Sequence, residues 1–397
     1  MKLSRADRSQ LADWSFTIDR GLLTALLALI AIGVVLSFAA SPAVAIKKGL
    51  PTYYFVERHV TFASLGAIVM LVISLFSPIG VRRLAAGLLL FSVAGMVVVL
   101  FTGADINGAQ RWLMLGGYSL QPSEFAKPAF IVVMAWLYGE AAGRSDMPAL
   151  PLALLLWAML AGLLIAQPDV GQTILISTTA GLLYLLAGLP PIGAAILVAI
   201  GSGGFWLAYE NFGHVQSRLE KFFSAAPFEN YQVGRAMQSF SEGGLFGRGP
   251  GEGTIKSVLP DAHTDYIFAV IGEEYGVIAC IALLGVFAFI VIKAMMRAAD
   301  EPNAADRLAV QGLALILGLQ SLINMGVNIG LLPPKGMTLP FISAGGSSML
   351  ALAITAGMLL ALTRWRPDPS RLKKPRRVPT IDDALHTPYS VKTSGNP

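Results

Sequence analysis

Apolar runs long enough to cross a lipid bilayer recur along the chain, separated by short polar segments. A helix needs about 20 predominantly apolar residues to span the hydrocarbon core of a bilayer. The pattern predicts ten membrane helices, in the runs 22–40, 60–76, 84–101, 125–137, 150–166, 170–189, 192–209, 266–294, 308–332 and 342–362. We therefore expect an all-α polytopic membrane protein with ten transmembrane helices.

The basic residues predict the orientation of these helices. An even number of spans puts both chain ends on one side, and Lys/Arg-rich segments favour the cytoplasm. Basic residues cluster near both ends of the chain and in most of the loops that this orientation places inside, among them Arg82, Arg83, Arg144 and Arg307. The first outer loop contradicts the rule, because it contains Lys47, Lys48 and Arg58.

The segment 211–264 between the seventh and eighth predicted helices is the only long loop, and this orientation places it outside. Its aromatic and apolar residues favour an ordered cap on the membrane surface, since loops of this length are usually functional or disordered. The predicted organisation is a cytoplasmic N-terminus over 1–17, a membrane domain over 18–365 that contains the loop 211–264, and a basic, disordered cytoplasmic tail over 366–397.

Composition supports a membrane protein and excludes other classes. The chain is 55% hydrophobic and 13% charged, about half the charge of a typical soluble protein. Its net charge of +5 comes without a basic face interleaved with aromatic residues, so nucleic-acid binding is not expected. The one cysteine, Cys280, lies in an apolar run and allows no intramolecular disulfide and no cysteine-based metal cluster.

The densest polar cluster comes directly before the eighth apolar run and contains Asp261, His263 and Asp265. A carboxylate at the mouth of a membrane helix must be solvated by water or substrate, because hydrocarbon cannot satisfy it. Asp265 is therefore a candidate catalytic base. Alternatively, Thr264 or Asp265 only caps the following helix, a role that both residue types fill well. A histidine-based metal site is not expected, since no second histidine stands at ligand spacing from His263.

Further polar residues collect at the ends of helices on the same predicted side. Glu124 and Lys127, three residues apart, are spaced to form a pair on one helix face. Asp169 is placed to cap the sixth helix, and Glu273 and Glu274 should face the bundle interior. The glycine run 243–253 matches neither a P-loop nor a dinucleotide fingerprint, which favours tight turns with close backbone approach. Prolines, glycines and hydroxyls in 330–348 predict a broken helix at membrane depth.

Several separated motifs are similar to those of one known family. They are Gly-Ala-Gln-Arg-Trp over 108–112, Gln-Pro-Ser-Glu-Phe-Ala-Lys over 121–127, Gln-Pro-Asp-Val-Gly-Gln over 167–172, the glycine run, Leu-Pro-Asp-Ala-His-Thr-Asp-Tyr over 259–266, and Lys-Gly-Met-Thr-Leu-Pro-Phe-Ile-Ser-Ala-Gly-Gly-Ser-Ser over 335–348. The chain resembles the SEDS proteins (shape, elongation, division and sporulation) over 58–364, and within them the division-associated branch.

The resemblance implies a peptidoglycan glycosyltransferase that polymerises lipid II on the outer face of the cytoplasmic membrane, at the division septum. It also implies two kinds of partner, a class B penicillin-binding protein and other membrane proteins of the division complex. The presumed catalytic acid of the family maps onto Asp265. Candidate substrate-binding and pyrophosphate-binding residues are Arg111, Gln121, Glu124, Lys127, Arg248, Lys256, Lys335, Ser343 and Ser347, and candidate supporting residues are Asp169, His263, Glu273 and Glu274.

The expected chemistry needs few groups. A sugar hydroxyl attacks an anomeric carbon and undecaprenyl pyrophosphate leaves, so one base and several cations suffice, without the second carboxyl that a glycosidase requires. A divalent cation, Mg²⁺ or Mn²⁺, is compatible with the pyrophosphate but leaves no sequence signature. Two other classes remain open: a flippase for lipid-linked sugars, which broken helices and internal acids also fit, and a non-catalytic division scaffold.

Overall fold

The computed structural model describes residues 9–106, 109–143, 146–211, 213, 216, 231–334 and 336–366. Residues 1–364 form one compact unit and 365–397 a second one, of which only 365 and 366 are described. Gly108, Arg144 and Lys335 lie outside the described residues. So do most basic residues of the predicted tail and most of the loop before residue 231.

Each of the ten apolar runs coincides with a helix in the described part of the chain. The helices are α1 (Gln10–Thr17), α2 (Arg20–Lys47), α3 (Tyr54–Ser74), α4 (Pro78–Thr102), α5 (Pro122–Gly143), α6 (Ala149–Ala166), α7 (Val170–Leu186), α8 (Pro191–Asn211), α9 (Tyr231–Gly243), α10 (Ile267–Ala299), α11 (Ala304–Asn328) and α12 (Gly346–Leu362). Of the ten helices that coincide with the apolar runs, eight are long and apolar enough to cross a membrane. The other two, α7 and α12, have 17 residues each and are shorter than a typical span.

The expectation of an all-α fold is wrong between α4 and α5. There the chain forms a three-stranded antiparallel sheet of β1 (Ala104–Ile106), β2 (Ala109–Leu115) and β3 (Tyr118–Leu120), in the order β1-β2-β3. Gly116 and Gly117 connect β2 to β3 with φ of 54° and 82°. Two successive residues with positive φ form the tight turn that matches the twist of a hairpin, and glycine adopts this conformation without strain.

Three helices, α5, α11 and α12, contact one another and form the centre of the bundle. Most residues of α12 are buried, as are the polar side chains Glu124 and Lys127 on α5 and Gln320, Asn324 and Asn328 on α11. Polar groups in hydrocarbon must find partners within the protein. The central position of α5 and α11 gives them these partners.

Ion pairs hold one end of the bundle together. Asp19, directly before α2, pairs with Arg297 in the last turn of α10, and Arg82 near the start of α4 pairs with Asp306 near the start of α11 at 2.8 Å. The same end therefore carries the beginnings of α2, α4 and α11 and the end of α10. The turn that contains Asp265 precedes α10 and lies at the opposite end.

The long helix α10 is interrupted at Gly276, whose φ of 80° and ψ of 176° are not helical. The turn that follows α9 packs into this break: the Val277 amide donates to the Gly244 carbonyl at 3.0 Å. A Cβ on Gly276 would lie 2.3 Å from the Leu245 carbonyl oxygen. The contact confirms that the glycine run serves close backbone approach.

Candidate active site

Asp265 lies in the turn directly before α10, and its carboxylate is not a helix cap. The N-cap residue of α10 is Tyr266, and no side chain makes a capping hydrogen bond there. The turn is fixed instead through its main chain, because the Asp265 carbonyl accepts from the amide groups of Asn324 and Asn328 at 2.9 Å each. Within the described residues no hydrogen bond or ion pair engages the half-buried carboxylate itself.

Burial and, to a smaller extent, the negative charge of nearby Asp261 raise the pKa of Asp265 to about 7. Desolvation disfavours the ionised form, and a second carboxylate adds repulsion. A base is most effective when its pKa lies near the working pH. The surroundings of Asp265 thus suit a carboxylate that accepts and releases protons near neutrality.

The non-helical segment 336–345 packs against this turn. Ser343 Oγ donates to the Thr264 carbonyl at 2.6 Å and accepts from the Leu339 amide at 2.8 Å, and the Ala344 amide donates to the His263 carbonyl at 2.9 Å. The predicted break before the last helix is confirmed, since α12 begins only at Gly346. Ser343 therefore has a structural partner in the turn that holds Asp265.

The same segment approaches the carboxylate at Gly336. A Cβ on Gly336 would lie 3.7 Å from Asp265 Oδ2. Lys335 is the residue before Gly336 in the chain, and its role stays a prediction. Ser347, in the first turn of α12, is half-buried, and its role in binding also stays a prediction.

Three amide side chains on α11 were not found by sequence reasoning. Asn324 Nδ2 donates to the carbonyls of both Asp265, at 2.9 Å, and Met337, at 2.6 Å, so one amide joins the turn to the segment 336–345. Asn328 Oδ1 accepts from the Ala269 amide at 3.0 Å, and Gln320 Nε2 donates to the Thr338 carbonyl at 3.0 Å. Their spacing of four residues within an apolar run was a detectable signal, because it places all three on one helix face.

Gln320 connects these three amide side chains to a buried charged pair on α5. Lys127 Nζ lies 2.9 Å from Glu124 Oε2 and donates to Gln320 Oε1 at 2.9 Å, which confirms the predicted pair. Gln172 Nε2 donates to Glu124 Oε1 at 2.7 Å. A cavity between α5, α11 and α12 is lined by Glu124, Lys127, Gln320 and Thr355 together with four apolar residues. The roles of Glu124 and Lys127 in substrate binding remain predictions.

A second cluster joins the sheet to the start of α7. Arg111 on β2 donates to the carbonyls of Gln167, at 3.2 Å, and Pro168, and its guanidinium lies 3.7 Å from Asp169. Asp169 caps α7, as predicted, by accepting from the Gln172 amide. Burial raises the pKa of Asp169 despite the opposing charge of Arg111.

Gln121 completes this cluster, since its Nε2 lies 3.4 Å from Asp169 Oδ2 and donates to Ser123 Oγ at 3.2 Å. Arg111 is partly exposed, with 13% of its side chain accessible. Arg111 is thus held in a fixed position with a small part of its side chain accessible. Its phosphate-binding role stays a prediction.

Glu273 and Glu274, by contrast, hold the loop 249–256. The Glu273 carboxylate accepts from the main-chain amides of Thr254 at 2.6 Å, Ile255 at 2.8 Å and Lys256 at 3.2 Å. The Glu274 carboxylate accepts from the Gly251 amide at 2.9 Å and pairs with the Lys256 ammonium group. These carboxylates stabilise the loop, and their supporting role in the reaction remains a prediction.

Two of the predicted phosphate ligands, in this loop and directly before it, have carboxylate partners on α10 and α9. Lys256 pairs with Glu274, and only 11% of its side chain is accessible. Arg248 pairs with Glu242 and donates to Thr254 Oγ1 at 3.1 Å. Both cations would have to exchange these partners to bind a phosphate.

His263 packs against α3, with its ring centroid 4.6 Å from that of Phe55. Burial and, to a smaller extent, the charge of Lys48 lower the pKa of His263 to about 4, so the imidazole is neutral at pH 7. Across the described parts of the chain, no group of three or more His, Cys, Asp or Glu side chains is arranged to hold a metal ion.

Comparisons with known proteins agree with this arrangement. A sequence profile described as "cell cycle protein", of the FtsW/RodA/SpoVE family, matches residues 20–367. The probable peptidoglycan glycosyltransferase FtsW of Caulobacter vibrioides is 43% identical over 365 residues, which cover 92% of this chain and 94% of that protein. The protein of the same name from Saccharophagus degradans is 36% identical over 87% of this chain and 92% of its own length.

Solved structures give the same assignment. A chain from a peptidoglycan synthase complex, described for its coordination of polymerization and crosslinking, is 27% identical with a TM-score of 0.72 and covers 87% of this chain and 97% of its own. The rod shape determining protein RodA of Thermus thermophilus is 26% identical with a TM-score of 0.64, over 87% of this chain and 96% of its own. By sequence, fold and motifs, the chain belongs to the FtsW/RodA/SpoVE family of cell cycle proteins.

Proposed function

We propose that this protein is a peptidoglycan glycosyltransferase that polymerises lipid II into glycan strands, with Asp265 as its general base. The observation that carries the proposal is the Asp265 carboxylate, which is half-buried, raised in pKa to about 7 and without a partner in the described residues, while its main chain is held by two asparagines. The curated relatives with the name peptidoglycan glycosyltransferase FtsW support the reaction class.

In the proposed reaction the acceptor hydroxyl loses its proton to Asp265 while its oxygen bonds to the anomeric carbon of the donor sugar. The bond from that carbon to the pyrophosphate oxygen breaks, and undecaprenyl pyrophosphate leaves with the bonding electron pair. Attack from the face opposite the leaving group inverts the anomeric centre. Pyrophosphate leaves without protonation, so a single base suffices.

Cations must stabilise the charge that develops on the pyrophosphate. Arg111 supports this role because its separation from Asp169, 3.7 Å, is longer than that of the other described ion pairs, and Lys335 supports it through its place in the chain beside Gly336, where an added Cβ would lie 3.7 Å from Asp265 Oδ2. Lys127, Lys256 and Arg248 form closer pairs with carboxylates. We therefore rank Arg111 and Lys335 above the other three as phosphate ligands.

A divalent cation, Mg²⁺ or Mn²⁺, fits the residues at this turn. Asp261 is exposed and close enough to raise the pKa of Asp265, so two carboxylates face a shared region. Carboxylate and phosphate oxygens are the ligands that these ions prefer. When bound there, the ion would neutralise part of the pyrophosphate charge, held mainly by phosphate and water oxygens.

The proposed setting is the cytoplasmic membrane at the division septum, with ten transmembrane helices and both chain ends in the cytoplasm. The positions of Arg82, Arg297 and Arg307 at the end of the bundle opposite Asp265 support this orientation, because basic residues favour the cytoplasmic side. The Asp265 turn and the large loop then face outward. Proposed partners are a class B penicillin-binding protein, supported by the similarity to a chain of a peptidoglycan synthase complex, and other division proteins.

The test uses the purified chain with its transpeptidase partner and lipid II, with glycan strands resolved by electrophoresis. Asp265→Asn keeps the size of the side chain and removes the basic oxygen, so we expect strand synthesis to fall by about two orders of magnitude. Thermal stability should not fall, since the carboxylate makes no hydrogen bond in the described residues.

Asp261→Asn is the matched control, because it removes the same charge from the same turn. It should retain most of the activity. Strand synthesis by Asp265→Asn at the parental rate would refute the base assignment and favour a scaffold or a flippase. Equal losses in both variants would indicate a cation site shared by the two carboxylates.

A further inference from the structure

Two adjacent lysines end α2 at the same end of the bundle as Asp265. The turn after Lys47 and Lys48 is rigid: Gly49 has a φ of 68°, and the Leu50 amide donates to the Ala45 carbonyl at 2.9 Å. A glycine with positive φ and a six-to-one hydrogen bond are the marks of a Schellman motif, which fixes the end of a helix. The two lysines therefore project from a defined position.

Lys48 lies next to the turn that holds the proposed base. Its Nζ is 5.5 Å from the centroid of the Phe55 ring, a cation–π distance, and the same ring lies 4.6 Å from the ring of His263. His263 is two residues before Asp265. One aromatic ring thus connects an ammonium group to the turn of the candidate active site.

Lys47 and Lys48 are exposed, and within the described residues neither has a carboxylate partner. Lys127 and Lys256 differ in this respect, because each pairs with a glutamate. Arg58, the third basic residue of this outer loop, is held between the rings of Tyr54 and Tyr118. The two lysines are accordingly the uncommitted positive charges of the loop that contradicts the positive-inside rule.

His263 supplies a neutral neighbour for this charge. Its Nδ1 is buried and has no hydrogen-bond partner in the described structure. Because burial and Lys48 together lower its pKa to about 4, the imidazole carries no competing positive charge at pH 7. On the Phe55 side of the turn, the positive charge therefore comes from Lys48 and not from His263.

Glycan polymerisation brings two lipid-linked diphosphates to one base, that of the acceptor and that of the donor. Arg111 lies on β2 and is anchored to the start of α7, whereas Lys48 lies at the end of α2, beside α3. We propose that Lys48, assisted by Lys47, binds the diphosphate of one of the two lipid-linked substrates, at a subsite separate from that of Arg111. This proposal rests on the proposed function.

Two simpler roles for the lysines give different expectations. Basic residues in the last turn of a helix interact favourably with its dipole, so a purely structural pair would change thermal stability and leave substrate binding unchanged. Lysines can also bind anionic lipid headgroups in general. Such binding would depend on the membrane composition and not on lipid II.

The experiment compares Lys48→Gln with the parent protein, in complex with the transpeptidase, in nanodiscs of uncharged phosphatidylcholine. We expect the KM for lipid II to rise about tenfold, as for one lost charge-assisted contact, with kcat changed less than twofold. Lys48→Arg keeps the charge and should restore the KM to within about threefold. The melting temperature should stay that of the parent.

Arg20→Gln is the matched control, because Arg20 is an exposed basic residue at the other end of the same helix. It should leave the KM unchanged. Inorganic pyrophosphate, as a competitor, should inhibit the parent more strongly than Lys48→Gln, which identifies the diphosphate and not the sugar as the bound group.

Binding of fluorescent lipid II to Asp265→Asn, with and without Lys48→Gln, separates this proposal from the proposed function. A weaker affinity in the double variant supports the subsite even if the parent makes no strands. An unchanged affinity and KM would overturn the subsite while leaving the polymerase intact. An effect of Lys48→Gln that is seen only after phosphatidylglycerol is added would assign the lysines to bulk headgroups and overturn the proposal as well.

Discussion

Two pairs of carboxylates lie on either side of the start of α10, and the two pairs differ in burial and in hydrogen bonding. Glu273 and Glu274 are fully buried, and main-chain amides and Lys256 satisfy them. Asp265 is only half-buried and Asp261 is exposed, and in the described structure no donor serves the Asp265 carboxylate.

The contrast separates structural acids from a reactive one. A buried acceptor that is already hydrogen-bonded stabilises the ionised form and the loop that supplies the donors. An acid that lacks donors has a raised pKa and retains free lone pairs for a substrate proton. Position in a motif does not distinguish the two pairs, but their hydrogen-bond partners do.

A substitution in the hydrogen-bonded pair, Glu273 and Glu274, should have the largest effect, and this effect should be on the stability of the protein. Glu273→Gln puts an NH₂ group among main-chain N–H donors, and we expect a loss of about 3 kcal/mol or more in the free energy of unfolding, since hydrogen bonds to charged groups contribute about 1.5–3 kcal/mol each. Denaturation of the purified protein in detergent measures it.

Glu57→Gln, the same change at an exposed site on α3, should be close to neutral in that experiment. If Glu273→Gln kept the parental stability and lost only strand synthesis, Glu273 would belong to the reactive group, and the contrast between the two pairs would fail.

Loosening the main-chain support of Asp265 should have an intermediate effect, and it should act on the reaction rate. Asn324→Ala leaves the Met337 carbonyl without its donor and removes one of the two donors to the Asp265 carbonyl. We expect kcat to fall about tenfold, in line with a penalty of about 1–3 kcal/mol for a lost buried hydrogen bond.

The inflection of the pH profile should not move in Asn324→Ala, because Asn324 does not touch the carboxylate. Ser321→Ala on the same helix is the control, since the hydrogen bond of Ser321 Oγ in the described structure stays within α11, to the Leu317 carbonyl. A similar loss of kcat in both variants would indicate a general effect on α11.

The pH dependence tests the contrast within the parent protein, with the smallest perturbation of the structure, because it needs no substitution. If Asp265 must be ionised to act, kcat/KM should rise about tenfold per pH unit up to about 7 and level off above it. The free energy of unfolding should change with pH in the opposite direction. Because the pKa of the Asp265 carboxyl is raised from 3.8 to about 7 in the folded protein, its protonation stabilises the folded state fully below about pH 4, and this stabilisation is lost as the pH rises through 7.

Asp261→Asn sharpens this measurement. Removing the neighbouring charge should lower the pKa of Asp265 and shift the inflection to lower pH. In Asp265→Asn the loss of stability between pH 4 and 7 should be reduced. A profile in Asp261→Asn identical to that of the parent would show that the inflection belongs to another group.

Hydropathy predicted all ten helical segments because a membrane helix is specified locally, by apolar length. The pair of Glu124 and Lys127 was predictable for the same reason, since a spacing of three residues fixes their proximity. The capping hypothesis for Asp265 failed because the turn is positioned by Asn324 and Asn328, which are remote in sequence. Local spacing contains no information on such contacts.

The hairpin was missed for a different reason. Its strands are short, and the informative signal was the pair Gly116 and Gly117, which is typical of a two-residue turn. The relation of Lys48 to His263 was also not predictable, because it runs through Phe55 on a third segment. In this site the sequence specifies the chemistry of each group, and the tertiary contacts decide which group remains available.

The interruption at Gly276 has a consequence for how the enzyme fits its lipid. As one uninterrupted helix, the 33 residues of α10 would extend about 50 Å, far beyond a hydrocarbon layer of about 30 Å. After the break, residues 277–299 form a helix of about the length that spans a bilayer. Residues 267–275 form a separate helical segment next to the Asp265 turn. The break therefore separates the part of α10 that is long enough to span a bilayer from the turn that carries the proposed base.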